Sequence, residues 1–234
     1  MHISTRHNWF EELSPPAKAE LTKHMKVISF AAGERIFDTG ATAPNIYQVQ
    51  SGYVKLFAEL EDGTNTLLAI YVPGNIFGET PVICGRPLNH TTIAATDVTL
   101  NHIPKVDFES CFNQYGEVSR ILCKKLAYIL SYAIHFKKAK ALYPISTQVP
   151  LVLKNLVECS GTKRIGTSQE IDIPITIEEI SNFLGVTRQT VQKEITTLKS
   201  EGIISKNLGF WKIVDFPKLA AKAMKTDEPN LQIF

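Results

Sequence analysis

The stretch that most constrains the fold is residues 120–140, which contain no glycine, no proline and no acidic residue. Apolar residues recur through it in alternating steps of four and three, as along one seam of a long helix: Leu122, Leu126, Ile129, Ala133 and Phe136. Leu130 and Ile134 add a second apolar flank. We therefore expect a long helix that buries one flank against a folded core and the other against the same helix of a second subunit. One broad core-facing stripe within a monomer is the alternative.

The region before this helix, from about Val27 to Phe108, consists of short apolar or alternating runs separated by glycine turns. This pattern is typical of an antiparallel barrel or sandwich. The pair Asp62-Gly63 lies between two alternating runs and predicts a hairpin. The pair Pro73-Gly74 predicts a second turn.

After the long helix, Pro144 interrupts the helical pattern, and Ser146 and Thr147 can cap a new helix. We expect a hinge between domains at this point. An amphipathic helix over residues 149–160 follows, and then a polar loop and a short strand over residues 171–175.

Two short helical patterns joined by the sequence LGVT predict a helix-turn-helix. Thr176, with Glu179 three residues later, has the signature of a capping box at the start of the first helix. Gly185 permits the left-handed backbone of a tight turn, and Thr187 can cap the second helix. Each helix has one apolar face, formed by Ile177, Ile180 and Leu184 in the first and by Val191, Ile195 and Leu198 in the second.

The start of the second helix projects polar and basic residues away from its apolar face, where a recognition helix contacts base edges. The candidate DNA-binding residues are Thr187, Arg188, Gln189, Gln192 and Lys193. Arginine suits guanine, glutamine suits adenine, and Lys193 suits a phosphate or a guanine. The following hairpin, with residues 207–209 at its tip, predicts a wing. A solvated helix in an unrelated domain is the alternative.

Composition limits the other possibilities. The formal net charge of +2 is too small to indicate nucleic-acid binding by itself, so that argument rests on local charge. The absence of a long apolar run and of a signal-like N-terminus predicts a cytoplasmic protein that does not enter a membrane. The cysteines are too widely spaced for a zinc or iron–sulfur site, so we expect reduced thiols, no metal and no cofactor: Cys84, Cys111, Cys123 and Cys159.

From about residue 30 to residue 216 the sequence resembles the cAMP receptor protein/FNR family of bacterial transcription regulators. The resemblance is carried by GERIFDTGATAPNIYQVQSGYVKL, by EDGTNTLLAIYVPGNIFGE and by the helix-turn-helix. It implies an α+β fold with an antiparallel β-roll of the jelly-roll, cyclic-nucleotide-binding-like kind over residues 1–115, a dimerisation helix over 116–143 and a winged helix-turn-helix over 147–225. It also implies a regulator without enzymatic activity. Such a regulator binds a palindromic operator in double-stranded DNA as a homodimer, responds to a small-molecule effector and contacts RNA polymerase.

The predicted effector pocket departs from the pattern of cyclic-nucleotide binders. Gly78 and Glu79 match the start of that motif, but its arginine and its serine or threonine fall on Asn89 and His90. Arg86 is displaced along the loop. Without the guanidinium, a buried cyclic phosphate loses a charge-assisted bidentate pair. We therefore expect that cAMP is not the effector.

Other signals remain as alternatives: redox change, a haem-bound gas or a nucleotide. An FNR-type iron–sulfur sensor needs an N-terminal cysteine cluster, and a haem sensor needs an axial ligand, for which His24, His90, His102 and His135 are weak candidates. A cupin-like metal enzyme is an alternative of another class. It needs two closely spaced histidines on one strand, and the sequence contains no H-x-H.

One branch of the family is more similar than the others. The segment CKKLAYILSYA resembles the start of the dimer helix in regulators of organohalide respiration, which sense halogenated phenols. In that branch a lysine of this helix meets the phenolic oxygen, and the matching position here is Lys125. The resemblance implies a pocket in which Lys125, Tyr128 and Tyr71 lie beside the segment over residues 77–92, FGETPVICGRPLNHTT. The alternative is that Lys125 is an ordinary lysine on a solvated helix face.

Overall fold

The computed structural model describes residues 2–3, 8–42, 45–59, 63–160, 169–171, 173–207 and 210–223. The chain divides into two compact units, Met1–Ala133 and Ile134–Phe234. Within the described residues, no helix is long and apolar enough to cross a membrane.

The first unit is built around two β-sheets. Its described strands are β1 (His2–Ile3), β2 (Lys26–Phe30), β3 (Arg35–Phe37), β4 (Asn45–Ser51), β5 (Val54–Glu59), β6 (Asn65–Tyr71), β7 (Ile76–Phe77), β8 (Thr91–Ala94) and β9 (Val98–Pro104). The sheet orders are β1-β6-β5-β8-β3 and β2-β9-β4-β7. Neighbouring strands pair antiparallel, apart from β1, which runs parallel to β6. These sheets confirm the predicted β-roll.

The predicted turns lie where the strands reverse. Strands β5 and β6 form a hairpin in which Glu59 lies opposite Asn65. Gly63 in its loop has a φ of 79°, and Asp62 lies outside the described residues. Gly74, with a φ of 94°, occupies the turn between β6 and β7.

The described helices of the first unit contribute to a shared hydrophobic core. They are a short 3-10 helix (Trp9–Glu12), α1 (Pro15–His24), α2 (Glu79–Cys84), α3 (Lys105–Gln114) and α4 (Gly116–Leu142), which continues into the second unit. One core cluster joins Trp9, Leu21, Phe108 and Ile121. A second cluster lies within the β-roll and includes Tyr47, Val54, Phe77 and Leu100.

The apolar seam expected on α4 does not form one face. Leu122 and Phe136 are 4% and 5% exposed, whereas Leu126 is 46% exposed. At about 100° per residue, Leu126 is rotated about 40° from Leu122 in one direction and Phe136 about 40° in the other. The expected seam therefore straddles the edge between a buried face and an exposed face. Leu130 and Ile134 continue the exposed face and are 62% and 60% exposed.

The second unit contains the helix-turn-helix and a small antiparallel sheet. Its remaining described elements are α5 (Ile145–Ser160), β10 (Gln169–Ile171), α6 (Ile177–Leu184), α7 (Arg188–Ser200), β11 (Ile204–Asn207), β12 (Phe210–Ile213) and α8 (Phe216–Ala223). The sheet order is β10-β12-β11, and β11 with β12 forms the predicted wing. The central residues of the wing tip, 208–209, lie outside the described residues.

Two predicted boundaries in this unit are wrong. Helix α5 begins at Ile145, so Ser146 and Thr147 lie in its first turn and do not cap it. The carbonyl of Pro144 accepts hydrogen bonds from the backbone N–H groups of Thr147 and Gln148, at 2.9 and 3.1 Å, and this starts the helix earlier. The strand expected over residues 171–175 lies instead at Gln169–Ile171, where its three residues pair with Ile213, Lys212 and Trp211 of β12.

Candidate DNA-binding surface and effector site

Local hydrogen bonds define the ends of the two helices of the helix-turn-helix. Thr176 Oγ1 accepts from the N–H of Glu179 at 3.1 Å, and Glu179 Oε2 accepts from the N–H of Thr176 at 2.8 Å, which completes the predicted capping box. Gly185 ends α6 with a φ of 70°. Thr187 Oγ1 then accepts from the N–H of Thr190 at 3.2 Å and caps α7. These contacts confirm the predicted turn.

The orientation of α7 follows from its apolar residues. Val191, Ile195 and Leu198 are fully or almost fully buried. The opposite face is therefore exposed, and it carries the predicted residues Arg188, Gln189, Gln192 and Lys193. These four side chains line one surface together with two residues that the sequence reasoning missed, Thr196 and Thr197. Their signal was available, since they follow Gln192 and Lys193 by one helical turn.

The last turns of α4 are attached to α6 within the second unit. The rings of Phe136 and Phe183 are 5.2 Å apart at an angle of 66°. Lys140 Nζ donates a hydrogen bond to the carbonyl of Phe183 at 3.1 Å, near the carboxyl end of α6, where a positive charge is favourable. The Gln148 side chain donates to the carbonyl of Tyr143 at 2.7 Å. The end of α4 and the helix-turn-helix are thereby joined by side-chain contacts.

Two lysines flank the buried Trp211 of the wing. The ammonium groups of Lys199 and Lys206 lie 5.4 and 5.2 Å from its ring centroid. The indole N–H donates to the carbonyl of Ile175 at 3.3 Å. Both lysines are exposed.

In the first unit, Lys125 forms an ion pair with Glu79. Its Nζ lies 2.6 Å from Glu79 Oε1 and donates a second hydrogen bond of 2.6 Å to the carbonyl of Ile76. The ammonium also lies 5.5 Å from the ring centroid of Tyr71. The two side chains are only 15% and 11% exposed. Lys125 is therefore not a freely solvated lysine.

Glu79 is directed to this position by the residue before it. Gly78 has a φ of 89°, and a Cβ at this position would lie 2.8 Å from the carbonyl oxygen of Asn45. A larger residue would have to displace β4, which explains why glycine precedes the first residue of α2.

Burial shifts the pKa values of two residues near Glu79, Tyr71 and His90. Burial, aided by the charge of Glu79, raises the pKa of Tyr71, so this phenol stays protonated. Burial lowers the pKa of His90, although the charge of Glu79 opposes that change. Glu79 therefore links Lys125, Tyr71 and His90 electrostatically.

The remaining predicted effector residues lie at different depths. Asn89 is exposed, and its Oδ1 lies 3.1 Å from His90 Nδ1. Tyr128 is half-buried on α4, with its ring 6.3 Å from that of Tyr132. Arg86 is exposed. The structure thus pairs Lys125 with Glu79 and places the Lys125 ammonium over the ring of Tyr71, with His90 within electrostatic reach of Glu79.

An aromatic stack inside the β-roll was missed by the sequence reasoning. The ring of Phe77 lies parallel to those of Tyr71 and Tyr47, with centroids 5.5 and 5.4 Å away. Phe37 meets Tyr47 edge to face at 5.0 Å. The only sequence signal was the position of Phe77 directly before Gly78. Because Lys125 lies over Tyr71 at one end of the stack, an apolar wall adjoins the ion pair.

Metal ligands do not assemble in the part of the chain that the structure describes. No group of three or more His, Cys, Asp or Glu side chains there is placed to hold a metal ion. His90 precedes β8 and His102 lies on β9, so they do not share a strand.

A β-roll, a long helix and a winged helix-turn-helix with an exposed recognition surface together define a DNA-binding transcription regulator with a sensor-type domain. Comparison with known proteins agrees. A cyclic nucleotide-binding domain model matches residues 27–115, and a Crp-like helix-turn-helix domain model matches residues 152–222. The CRP-like cAMP-activated global transcriptional regulator of Mycobacterium tuberculosis is 27% identical over 221 residues, which span 94% of this chain and 98% of the relative.

Solved structures show the same fold. FixK2 from Bradyrhizobium japonicum, at 20% identity, covers 86% of this chain and 98% of its own with a TM-score of 0.74. The OCPA-complexed CprK (C200S), also at 20% identity, covers 87% of this chain and 91% of its own with a TM-score of 0.63. The two domain models and the full-length relative identify the chain as a member of the Crp/FNR family of transcription regulators.

Proposed function

We propose that this protein regulates transcription as a homodimer that binds a palindromic operator through α7, with its DNA affinity controlled by a small-molecule effector. The observation that carries the proposal is the exposed surface at the start of α7, which lies on a helix-turn-helix with both helix starts capped. In this proposal residues 1–115 sense the effector, residues 116–143 dimerise and residues 147–225 bind DNA. The protein works in the cytoplasm, where it also contacts RNA polymerase.

Each residue at the start of α7 has a distinct role. Arg188 reads guanine through its guanidinium fork, and Gln189 or Gln192 reads adenine. Lys193 contacts a phosphate or a second guanine, and Thr187 places the helix start against the DNA backbone. Lys199 and Lys206 are exposed beside Trp211 and add phosphate contacts that carry no sequence preference.

Dimerisation is supported by the exposed apolar face of α4. Leu126, Leu130 and Ile134 lie on that face and are between 46% and 62% exposed. An apolar row of this length on a single helix is typical of a helix–helix interface. A two-fold dimer would present two recognition helices about one DNA turn apart, so the operator would be an interrupted palindrome.

The proposed effector is an ortho-halogenated phenol or a similar small aromatic acid that binds at Lys125. An aromatic wall beside a partly buried ammonium group suits an aromatic anion. An ortho halogen increases the phenolate fraction near neutral pH, and Lys125 favours that anion over a neutral phenol. Because Glu79 already pairs with Lys125, the phenolate has to displace this carboxylate. Binding therefore exchanges one ion pair for another on α4, the helix that continues into the second unit.

Cyclic nucleotides are not the proposed effectors. Asn89 and His90 replace the phosphate-holding residues of cyclic-nucleotide binders, and Asn89 and Arg86 are both exposed. Glu79, which matches the start of the cyclic-nucleotide motif, is paired with Lys125. Isothermal calorimetry with cAMP and cGMP tests this directly, and micromolar binding that promotes operator binding would refute it.

DNA recognition is tested by selecting operators from random DNA and then measuring affinities in gel shifts. Arg188→Ala is expected to weaken binding to the selected site by about 1–3 kcal/mol, or about 5- to 150-fold, and to relax preference at one base pair. Lys218→Ala is the matched control, because this exposed lysine lies on α8 and pairs with Asp215. Equal affinity of wild type and Arg188→Ala for the operator and for random DNA would show that the recognition role is wrongly assigned.

The effector is tested by titrating the protein–operator mixture with chlorinated and unhalogenated phenols. Chlorinated compounds are expected to trigger operator binding by wild type and not by Lys125→Leu. The adjacent Lys124→Leu is the control, because Lys124 is 66% exposed and pairs with Glu12 outside the site. Lys125→Leu is also made with Glu79→Gln, so that a buried carboxylate that has lost the Lys125 ammonium does not obscure the result. An unchanged response in either Lys125 variant excludes this lysine as the contact.

A further inference from the structure

Gln192 and Thr196 are linked by two hydrogen bonds on the exposed face of α7. Thr196 Oγ1 lies 2.8 Å from the backbone carbonyl of Gln192 and donates to it. The Gln192 side-chain nitrogen, Nε2, lies 3.3 Å from the same Oγ1. Both residues line the surface that also contains Arg188, Gln189 and Lys193. The side chain of Gln192 is thus held along its own helix by the residue one turn later.

The threonine hydroxyl determines which way the glutamine amide faces. A hydroxyl carries a single proton, and here that proton is directed to the carbonyl of Gln192. Oγ1 can therefore only accept from the amide, so Nε2 faces Thr196 and Oε1 does not. After this bond, the amide retains one N–H donor and the Oε1 acceptor.

A donor and an acceptor side by side match adenine among the four bases. In the major groove adenine presents an N–H donor at N6 and an acceptor at N7, whereas guanine presents two acceptors, and cytosine and thymine each present one polar group. An amide whose nitrogen is already bonded to Thr196 cannot rotate to offer two donors to guanine without losing that bond. We infer that Gln192 reads an adenine in each half-site, and that Thr196 is a positioning residue that sets the amide for this base. This inference rests on the proposed DNA recognition by α7.

Preordering by Thr196 has a measurable size. A glutamine on a helix surface has several rotamers. Immobilising a side chain of this kind at an interface opposes binding by about 0.5–1.5 kcal/mol. This free energy corresponds to a factor of about 2 to 12 in affinity. Removing the Thr196 hydroxyl is therefore expected to reduce the discrimination for adenine by about 2- to 12-fold. The effect should be confined to the one position per half-site that Gln192 reads.

The experiment is selection from random double-stranded DNA, with sequencing of the bound fraction, for the full-length protein and four variants. Thr196→Val removes the hydroxyl and keeps the branched shape, whereas Thr196→Ser keeps the hydroxyl. Gln192→Ala identifies the position that this residue reads. Thr22→Val is the matched control, because Thr22 is an exposed threonine on α1, away from α7, whose hydroxyl also donates to the carbonyl four residues earlier. Thermal melting of each variant shows whether it is folded.

The expected result is an adenine preference at one position per half-site that Gln192→Ala abolishes, Thr196→Val weakens, and Thr196→Ser and Thr22→Val retain. An unchanged preference in Thr196→Val overturns the positioning role. A Gln192-dependent preference for another base overturns the adenine assignment. If the wild type selects no sequence at all, the proposed DNA recognition itself fails, and this outcome is distinct from a failure confined to Gln192 and Thr196.

Discussion

The ion pair between Lys125 and Glu79 is expected to stabilise the first unit only while both partners are present. Two unit charges 2.6 Å apart, the distance between Nζ and Oε1, attract by about 6 kcal/mol at an effective dielectric constant of about 20. Removing both ions from water opposes folding by several kcal/mol per ion. The net coupling between the two charges is therefore expected to be about 1–3 kcal/mol, less than for a fully buried pair, because both side chains retain some exposure.

A double-mutant cycle measures this coupling. Lys125→Met leaves the Glu79 carboxylate without its ammonium, and Glu79→Gln leaves the ammonium with the Ile76 carbonyl as its remaining described acceptor. Each single variant should lower the free energy of unfolding in urea by about 2–4 kcal/mol, whereas the double variant should lose less than the sum. Protein concentration is held constant across the four proteins, because a dimer's stability depends on it. Additive losses within about 0.5 kcal/mol would refute the reasoning that the two charges stabilise each other.

Three further predictions concern packing and protonation. Gly52→Ala should lower the free energy of unfolding by several kcal/mol in urea titrations, because at a φ of 80° its Cβ would overlap the carbonyl oxygen of Asp97. Gly33→Ala is the control, because its Cβ would meet nothing within 4 Å. This control should change the free energy of unfolding far less. Phe136→Ala should lower the free energy of unfolding by about 3–5 kcal/mol in the urea transition of the second unit, because this buried ring packs against Phe183. A variant as stable as the wild type would contradict that packing. Burial lowers the pKa of His90 in the folded state below its usual 6.5. Near and below this pH the unfolded chain therefore binds more protons than the folded chain. The free energy of unfolding should fall as the pH drops below about 6.5. Urea titrations across this range should show a smaller fall for His90→Asn, and an identical pH profile would contradict the assignment.

The helix-turn-helix was readable from the sequence because its signals are local. A capping box, a glycine in the left-handed region and a threonine cap act within a few residues of Thr176, Gly185 and Thr187. Each of these contacts forms in the structure as predicted. The exposed face of α7 followed from helical period alone, and the same period applied one turn further would also have found Thr196.

The long helix was predictable as a helix, but its buried face was not. The sequence shows apolar residues over a wide arc of the helix. Over two turns their spacing fits the roughly 3.5 residues per turn of a coiled coil as well as the roughly 3.6 residues per turn of a straight helix. Which side is buried depends on what packs against it. In the folded chain Leu122 and Phe136 are covered while Leu126, Leu130 and Ile134 are not.

The sequence by itself determined the order of the domains, the turn and caps of the helix-turn-helix, and the residues at the start of α7. Only the tertiary structure decided the partner of Lys125, because Glu79 lies 46 positions earlier in the chain and no local pattern links the two. The same holds for the stack of Tyr71, Phe77 and Tyr47, whose rings meet across different strands. Local signals act through backbone geometry within a turn or two of helix, whereas these contacts depend on how the sheets and α4 pack together.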